Sequence, residues 1–361
     1  MRTLTTAGYM LGAVAASALL PLQLSAQEAS NNEATEMAAP TEDMQAVLDK
    51  LTELGAEPIG TLSVEETRAQ PTPADAVMAV MEDRGIEPDP ALEAITTTDV
   101  TIPGAAGDVN ARVYTPEGEG PFPVIVYWHG GGWVIADIDT YDASARQLAA
   151  GADALVVSLH YRQAPENPFP AAHEDAIASY EWIVENAGQW NGDASRLAVA
   201  GESAGGNLAA NVAIAARDNG WTQPDHQLLV YPVAGDDMTT ESYEENAEAQ
   251  PLSKAAMEWF VEQVFSDPSE AADPRLDLVE REDLQGLPPA TIINAQIDPL
   301  RTEGETYAAN LEQAGVTVSQ KTFEGVTHEF FGMGAVVPAA KEAMEFATSQ
   351  LSKAFDAASA E

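Results

Sequence analysis

A serine stands between glycines in the segment Gly201-Glu202-Ser203-Ala204-Gly205-Gly206. A short apolar run, 197–200, precedes this segment, and an alanine-rich stretch of helical character follows it. A strand, a glycine-flanked serine and a helix are typical of a nucleophile elbow, a turn too tight for neighbouring Cβ atoms. The serine hydroxyl exposed on such a turn can attack a carbonyl carbon. Since the short pattern arises by chance in about one chain in ten, other residues must support it.

A serine nucleophile needs a base within hydrogen-bond reach. The sequence has five histidines, and His328 is the candidate base because it follows the predicted strand 316–322 in a loop-like stretch. In parallel sheets, sites lie beyond the carboxyl ends of the strands. His328 is therefore expected on the same side of the sheet as Ser203.

A third group must orient the base, and Asp298 follows the predicted strand 291–295. The chain order Ser203, Asp298, His328 is the one known from α/β-hydrolases. Asp236 and Asp237 are alternative acids, and otherwise they are solvated loop residues.

Three consecutive glycines follow the predicted strand 124–128. Without side chains, their backbone amides can turn toward a negatively charged substrate oxygen. A phosphate-binding loop is excluded because neither G-x-x-x-x-G-K-[ST] nor a well-placed G-x-G-x-x-G is present. The predicted oxyanion-hole donors are the amides of Gly131, Gly132 and Ala204, and His129 and Gly130 are predicted to support the loop.

Strand-like and helix-like runs alternate from residue 96 onward, which predicts an α/β fold with a mostly parallel sheet and helices on both faces. The eight predicted strands are 97–102, 111–115, 124–128, 154–159, 197–200, 227–231, 291–295 and 316–322.

The N-terminus has the features of a secretory signal peptide over residues 1–26: Arg2, an apolar run over 10–20 and small residues before the predicted cleavage site. The apolar run is shorter than the ~20 residues that a membrane span needs, and Pro21 interrupts it. We therefore expect export to a periplasm or medium, without stable membrane insertion after cleavage. The chain has no cysteine, so it has no disulfide framework.

Residues 27–41 are polar and acidic, which predicts a disordered linker. Residues 42–95 contain apolar positions at helical spacing, interrupted by prolines, and predict two or three short helices. These helices either cover a site or pack as an ordinary part of the domain. The acidic stretch 236–250 lies between two predicted strands and is interpreted as an insertion.

The formal net charge is −42, from 58 acidic and 16 basic residues. This charge makes nucleic acid and anionic membranes poor partners. Salt screens such self-repulsion, so an enzyme of saline surroundings and an ordinary acidic secreted protein are both open interpretations.

Several motifs in order resemble the bacterial hormone-sensitive-lipase-like (family IV) esterases of the α/β-hydrolase superfamily. They are 129–133, 161–166, 169–172, 201–207, 298–301, and His328 with Phe330, Phe331 and Gly332. The resemblance implies an eight-stranded α/β-hydrolase domain over 96–358 and the triad Ser203, Asp298 and His328. It also implies a helical cap formed by 42–95 and by a second segment, 236–275.

The sequence departs from the family at two positions. Glu202 stands where the family usually has Asp, and it is interpreted as a solvated side chain or as part of the pocket entrance. His160 replaces the usual Asp before Tyr161. Together with Glu202, the aromatic residues Trp133, Phe330 and Phe331 are candidates to line the substrate pocket, the alternative being that they belong to the core.

These residues predict a serine carboxylesterase that acts on short- to medium-chain neutral esters through an acyl-enzyme, with no metal ion or organic cofactor. Small-molecule esters are the expected partners, and a homodimer is one open oligomeric state. An amidase or peptidase with the same triad is an alternative function. A noncatalytic binding module on a hydrolase scaffold is a second alternative, although such modules usually lack a triad residue.

Overall fold

Eight strands pair into one sheet in the computed structural model, which describes residues 38–359. The strand order is β1-β2-β4-β3-β5-β6-β7-β8, and only β2 runs antiparallel to its neighbours. The strands are β1 Thr96–Gly104, β2 Gly107–Thr115, β3 Phe122–Trp128, β4 Leu155–His160, β5 Gly192–Glu202, β6 His226–Val230, β7 Ala290–Ile297 and β8 Val318–Thr327. The predicted α/β-hydrolase fold with a mostly parallel eight-stranded sheet is confirmed.

Eleven α-helices lie within the described residues. They are α1 Glu42–Glu53, α2 Val64–Ala69, α3 Pro73–Arg84, α4 Pro90–Glu93, α5 Asp142–Ala152, α6 Ala171–Asn186, α7 Ala204–Asn219, α8 Glu241–Glu245, α9 Lys254–Val264, α10 Arg301–Gln313 and α11 Pro338–Ala358. In this part of the chain, no helix combines the length and the apolar character needed to cross a membrane.

Helices cover both faces of the sheet. Successive side chains of a strand point to opposite faces, so each strand packs against both helix layers. In β3, Val126 and Trp128 pack with the cluster that includes α6, α7 and α10, whereas Ile125 and Tyr127 pack with the cluster that includes α5 and α11. All of β3 is buried. The two helix layers hold the sheet in place and so fix the carboxyl ends of the parallel strands. The candidate site residues project from these ends.

The N-terminal segment 42–95 contains four helices rather than two or three. Pro73 and Pro90 occupy the first helical position of α3 and α4, where a missing amide donor costs nothing, so these prolines begin helices as well as separating them. The insertion 236–275 contains α8, α9 and a short 3₁₀ helix. The division into a cap and a catalytic domain stays a prediction, and the predicted signal peptide and most of the predicted linker lie outside the described residues.

Candidate active site

Ser203 occupies the turn between β5 and α7, with φ 56° and ψ −120°. This left-handed backbone is unfavourable for a residue with a side chain, and it is held by the Ser203 amide, which donates to the Val230 carbonyl at 2.9 Å. A Cβ on Gly201 would overlap the Gly205 carbonyl, and one on Gly205 would overlap the Trp128 carbonyl. The two glycines therefore permit the close packing that this turn requires.

His328 and Asp298 lie together, just beyond β8 and β7. His328 Nδ1 is 2.7 Å from Asp298 Oδ2, and Asp298 Oδ1 accepts a hydrogen bond from the Leu300 amide at 2.9 Å. Since an ionised carboxylate only accepts hydrogen bonds, Nδ1 of His328 carries the proton. Nε2 is then left without a proton in the neutral imidazole, as a general base requires.

The environment raises the pKa of His328 above its usual value of 6.5. Burial alone favours the neutral imidazole, but the charge and hydrogen bond of Asp298 outweigh it, and the carboxyls of Glu329 and Glu202 add to the upward shift. Asp298 is fully buried, so its attraction for the imidazolium is weakly screened.

The glycine loop after β3 adopts left-handed backbone at Gly131 (φ 91°), Gly132 (φ 57°) and Trp133 (φ 59°). The Gly131 carbonyl accepts hydrogen bonds from the Val134 and Ile135 amides at 3.0 and 2.9 Å, which closes the turn. Within the described residues, the amides of Gly131 and Gly132 have no hydrogen-bond acceptor. Both amides are thus free to bind an oxygen atom of a ligand.

Hydrogen bonds of Tyr161, His129 and His160 hold the first residues of this loop. Tyr161 Oη donates to the carbonyls of His129 and Gly130, each at 3.0 Å. His129 Nδ1 donates to the Gly130 carbonyl at 2.8 Å, so its Nε2 accepts from His160 Nδ1 at 3.1 Å. Burial lowers the pKa of His129 to about 3 and also lowers that of His160, so both rings are neutral. His160 therefore supplies a hydrogen bond at this departure from the family.

Arg68 on α2 also anchors the glycine loop. No pattern in the amino-acid sequence indicates this role. Its guanidinium donates to the Val134 carbonyl at 2.8 Å and to the Ala164 carbonyl at 2.7 Å. It also forms a two-point ion pair with Glu166, at 2.8 and 2.9 Å. The N-terminal segment is thereby tied to the glycine loop.

Replacing Arg68 by Met is expected to lower kcat/KM for a small ester roughly tenfold, because an ångström-scale shift of the glycine loop misplaces its amide donors. Steady-state kinetics of the purified variant measures this loss. The matched control is Arg84→Met, since Arg84 on α3 pairs only with Asp43 within the described residues. Equal kinetics of the two variants would show that Arg68 does not position the loop.

A cavity of about 1250 Å³ opens above these groups. Ser203, His328, Gly131 and Gly132 line it, together with Trp133. The N-terminal segment and the insertion supply much of its apolar wall: Ile59, Met78, Met238, Leu252, Met257, Phe260 and Val261. Apolar walls with a few convergent polar groups are typical of small-molecule sites.

Three residues expected at the substrate pocket do not line this cavity. Glu202 is only 1% exposed and faces Tyr127 and Tyr231, because Ser203 takes the opposite direction at the end of β5. Phe330 and Phe331 are fully buried in the core cluster beside α5 and α11. The pocket assignment of these three residues is therefore wrong: the two phenylalanines belong to the core, which was their alternative interpretation, and Glu202 is neither solvated nor at the pocket entrance. Of the four candidates, Trp133 alone lines the cavity.

Neither alternative acid is placed to orient His328. Asp237 is exposed and accepts hydrogen bonds from the Thr239 amide and hydroxyl, and neither it nor Asp236 contacts His328. Two of the other histidines are structural, since His173 bonds to Asn207 and His226 to Thr291, each at 2.8 Å. Residues 38–359 contain no group of three or more histidine, aspartate or glutamate residues placed to hold a metal ion.

Comparisons with known proteins show the family of this chain. The sequence profile of a family described as alpha/beta hydrolase fold matches residues 125–332. The chain is 40% identical to the esterase LipI of Mycobacterium tuberculosis over 74% of its own length and 86% of the relative's. It is 43% identical to the carboxylesterase NlhH of the same organism, over 69% and 80%. A thermostable esterase of Pseudomonas putida superposes with a TM-score of 0.79 at 33% identity, covering 88% of this chain and 98% of the other.

Proposed function

Because this chain belongs to the α/β-hydrolase fold family, we propose that it is a serine carboxylesterase in which Ser203, Asp298 and His328 form the catalytic triad. The resemblance to the hormone-sensitive-lipase-like esterases is confirmed by the family match and by the esterase relatives. One observation carries the proposal for the site. Ser203, in the nucleophile elbow, lines the same cavity as His328, and Nδ1 of His328 is hydrogen-bonded to Asp298.

The reaction begins when Ser203 Oγ attacks the ester carbonyl and transfers its proton to Nε2 of His328. Asp298 holds Nδ1 and stabilises the imidazolium. The negative oxygen of the tetrahedral intermediate accepts hydrogen bonds from the amides of Gly131, Gly132 and Ala204.

The intermediate collapses when His328 returns the proton to the departing alcohol, leaving the acyl group on Ser203. A water molecule then loses its proton to His328 and attacks the acyl carbonyl. The carboxylic acid leaves, and Ser203 regains its proton. Besides water, this chemistry uses only the side chains and amides of the protein.

The cavity supports short- to medium-chain neutral esters as substrates. Its apolar wall suits an acyl chain, and its volume of about 1250 Å³ accommodates a small ester. The charged residues along it are mostly acidic and oppose anionic esters: Glu57, Asp75, Asp137, Asp139, Asp236, Glu248 and Glu329, against Arg68.

Hydrolysis of nitrophenyl esters from acetate to palmitate tests this function. We expect the highest kcat/KM for acyl chains of short to medium length and a decline toward palmitate. The matching nitroanilides are expected to react much more slowly, because the amide leaving group is poorer. Comparable ester and anilide rates would favour the amidase alternative, and no ester hydrolysis at all would refute the proposal.

We further propose that the protein is exported to the periplasm or medium, on the basis of the signal-like features of residues 1–26. Cleavage after Ala26 gives a mature chain that begins at Gln27. N-terminal sequencing of the protein from each cell fraction is the test, and an uncleaved cytoplasmic chain would contradict it.

A further inference from the structure

A buried cluster of acidic and phenolic groups lies beside the candidate triad. Tyr127 Oη donates to Glu202 Oε1 at 2.6 Å, and Tyr231 Oη donates to the other oxygen of Glu202. Tyr141 Oη lies 2.7 Å from both carboxylate oxygens of Glu329. Three tyrosines from separate parts of the chain thus converge on two carboxyl groups.

Both carboxyls are placed next to the reacting groups by chain position. Glu202 directly precedes Ser203, and Glu329 directly follows His328 with left-handed backbone (φ 71°). Glu329 Oε1 is 3.8 Å from His328 Nε2, the nitrogen that is to receive the serine proton. Asp298 binds the opposite end of the same ring.

Neither Glu202 nor Glu329 forms an ion pair with lysine or arginine within residues 38–359, and the one potential cation in contact is His328. Buried carboxylates without a cation are unfavourable unless they keep a proton or meet a positive charge. An imidazolium at His328 would supply that charge.

The two carboxyls differ in their tendency to ionise. Burial and the neighbouring Glu329 raise the pKa of Glu202 to about 7. Burial also raises the pKa of Glu329, but His328 and the Tyr141 hydroxyl act in the opposite direction. Of the two carboxyls, only Glu329 lies beside His328 Nε2, so an imidazolium there favours the ionised form of Glu329 most directly.

We propose that Glu329 is a positioning residue that presents a second negative charge to His328, at the Nε2 end of the ring. This inference rests on the proposed esterase function. The charge of Glu329 stabilises the imidazolium that forms as Ser203 Oγ loses its proton, as Asp298 does from the other end.

The groups that face this cluster come from several elements. They are Asp298 after β7, Tyr231 after β6 with its ring 4.4 Å from that of His328, Tyr127 on β3, Tyr141 and Ser144 at α5, and His129, whose ring is 5.9 Å from that of Tyr141. Burial raises the pKa of all three tyrosines and lowers that of His129, so these groups stay neutral between about pH 5 and pH 8.

The pH profile of kcat/KM tests the proposal with Glu329→Gln, in which the amide oxygen can still accept from Tyr141. Removing the negative charge lowers the pKa of His328, so the neutral base is available at lower pH. We expect the acid limb to move down by about one pH unit. Because one pH unit is a factor of ten in imidazolium stability, kcat on the plateau should fall by up to tenfold.

Two further variants locate the charge. Glu202→Gln removes the carboxyl that has no contact with His328 and is expected to move the acid limb less than Glu329→Gln does. The exposed Glu324→Gln on β8 controls for a change in net charge. If the acid limb moved as far in Glu202→Gln as in Glu329→Gln, or further, the charge that acts on His328 would lie on Glu202. The assignment to Glu329 would then be wrong. An unchanged acid limb in Glu329→Gln would overturn the proposal.

NMR titration of the His328 ring in the Ser203→Ala background supplies a readout that needs no turnover. The midpoint is expected to fall when Glu329→Gln is added. A protein without esterase activity would refute the proposed function and leave this titration as an independent test. An unchanged midpoint would overturn the role of Glu329 even in an active esterase.

Discussion

Ser203→Ala is expected to lower kcat for nitrophenyl acetate by about 100,000-fold, with its fold and thermal unfolding nearly unchanged. The variant has no hydroxyl to form the acyl-enzyme, so only the weak reaction assisted by the glycine amides and by binding remains. Alanine also suits the site sterically, because the left-handed turn already accommodates a Cβ. Steady-state kinetics and thermal unfolding of the same preparation measure both effects.

Ser195→Ala is the matched control, since Ser195 lies on β5 as well but is exposed and bonds to Asp193. Its kcat should equal that of the unaltered protein. A phosphonate ester that labels serine nucleophiles adds a direct readout: intact mass should rise by one adduct in the unaltered protein and in Ser195→Ala. The assignment fails if Ser203→Ala is labelled to the same extent or retains substantial turnover.

The sheet could be predicted from the sequence because each strand is a short apolar run between turn residues, and the runs alternate with helical stretches. All eight predicted strands lie in the structure, with ends within five residues of the expected ones. The candidate triad could be proposed for the same reason, since Asp298 and His328 follow β7 and β8. Local pattern and chain order were sufficient for this part.

Glu202 shows why side-chain direction was harder to predict. The predicted strand ended at residue 200, whereas β5 continues to Glu202. With these two extra residues in the strand, alternation places Glu202 on the same face as Ala198 and Ala200, which pack in the core beside α5 and α11, so that Glu202 enters the protein. The predicted strand end is thus two residues too early, and for this reason Glu202 is predicted to be solvated although it is buried.

The contacts of Arg68 and Glu329 could not be read from the sequence. Arg68 reaches carbonyl and carboxylate groups that lie 66 to 98 residues further along the chain. Glu329 meets Tyr141 across 188 residues. Such contacts depend on how the elements pack, and no short pattern encodes them. The residues that carry chemistry were therefore easier to predict than those that position them.

Asp298→Asn is expected to lower kcat by about 10,000-fold while the protein stays folded. Asp298 Oδ1 accepts from the Leu300 amide, and an asparagine oxygen can keep that bond. The asparagine NH₂ group then faces His328 Nδ1, where two donors would meet. His328 avoids this by moving its proton to Nε2, and the nitrogen that should accept the serine proton is no longer a base.

Asp237→Asn is the matched comparison, because Asp237 follows β6 as Asp298 follows β7 and was the alternative acid. It caps a turn through the Thr239 amide and hydroxyl, with no contact to His328, so kcat should be unchanged. Kinetics of both variants, with thermal unfolding as a check on folding, decide between the two acids. If Asp237→Asn lost activity and Asp298→Asn kept it, His328 would be oriented by a different group, and the geometry of this site would have to change before catalysis.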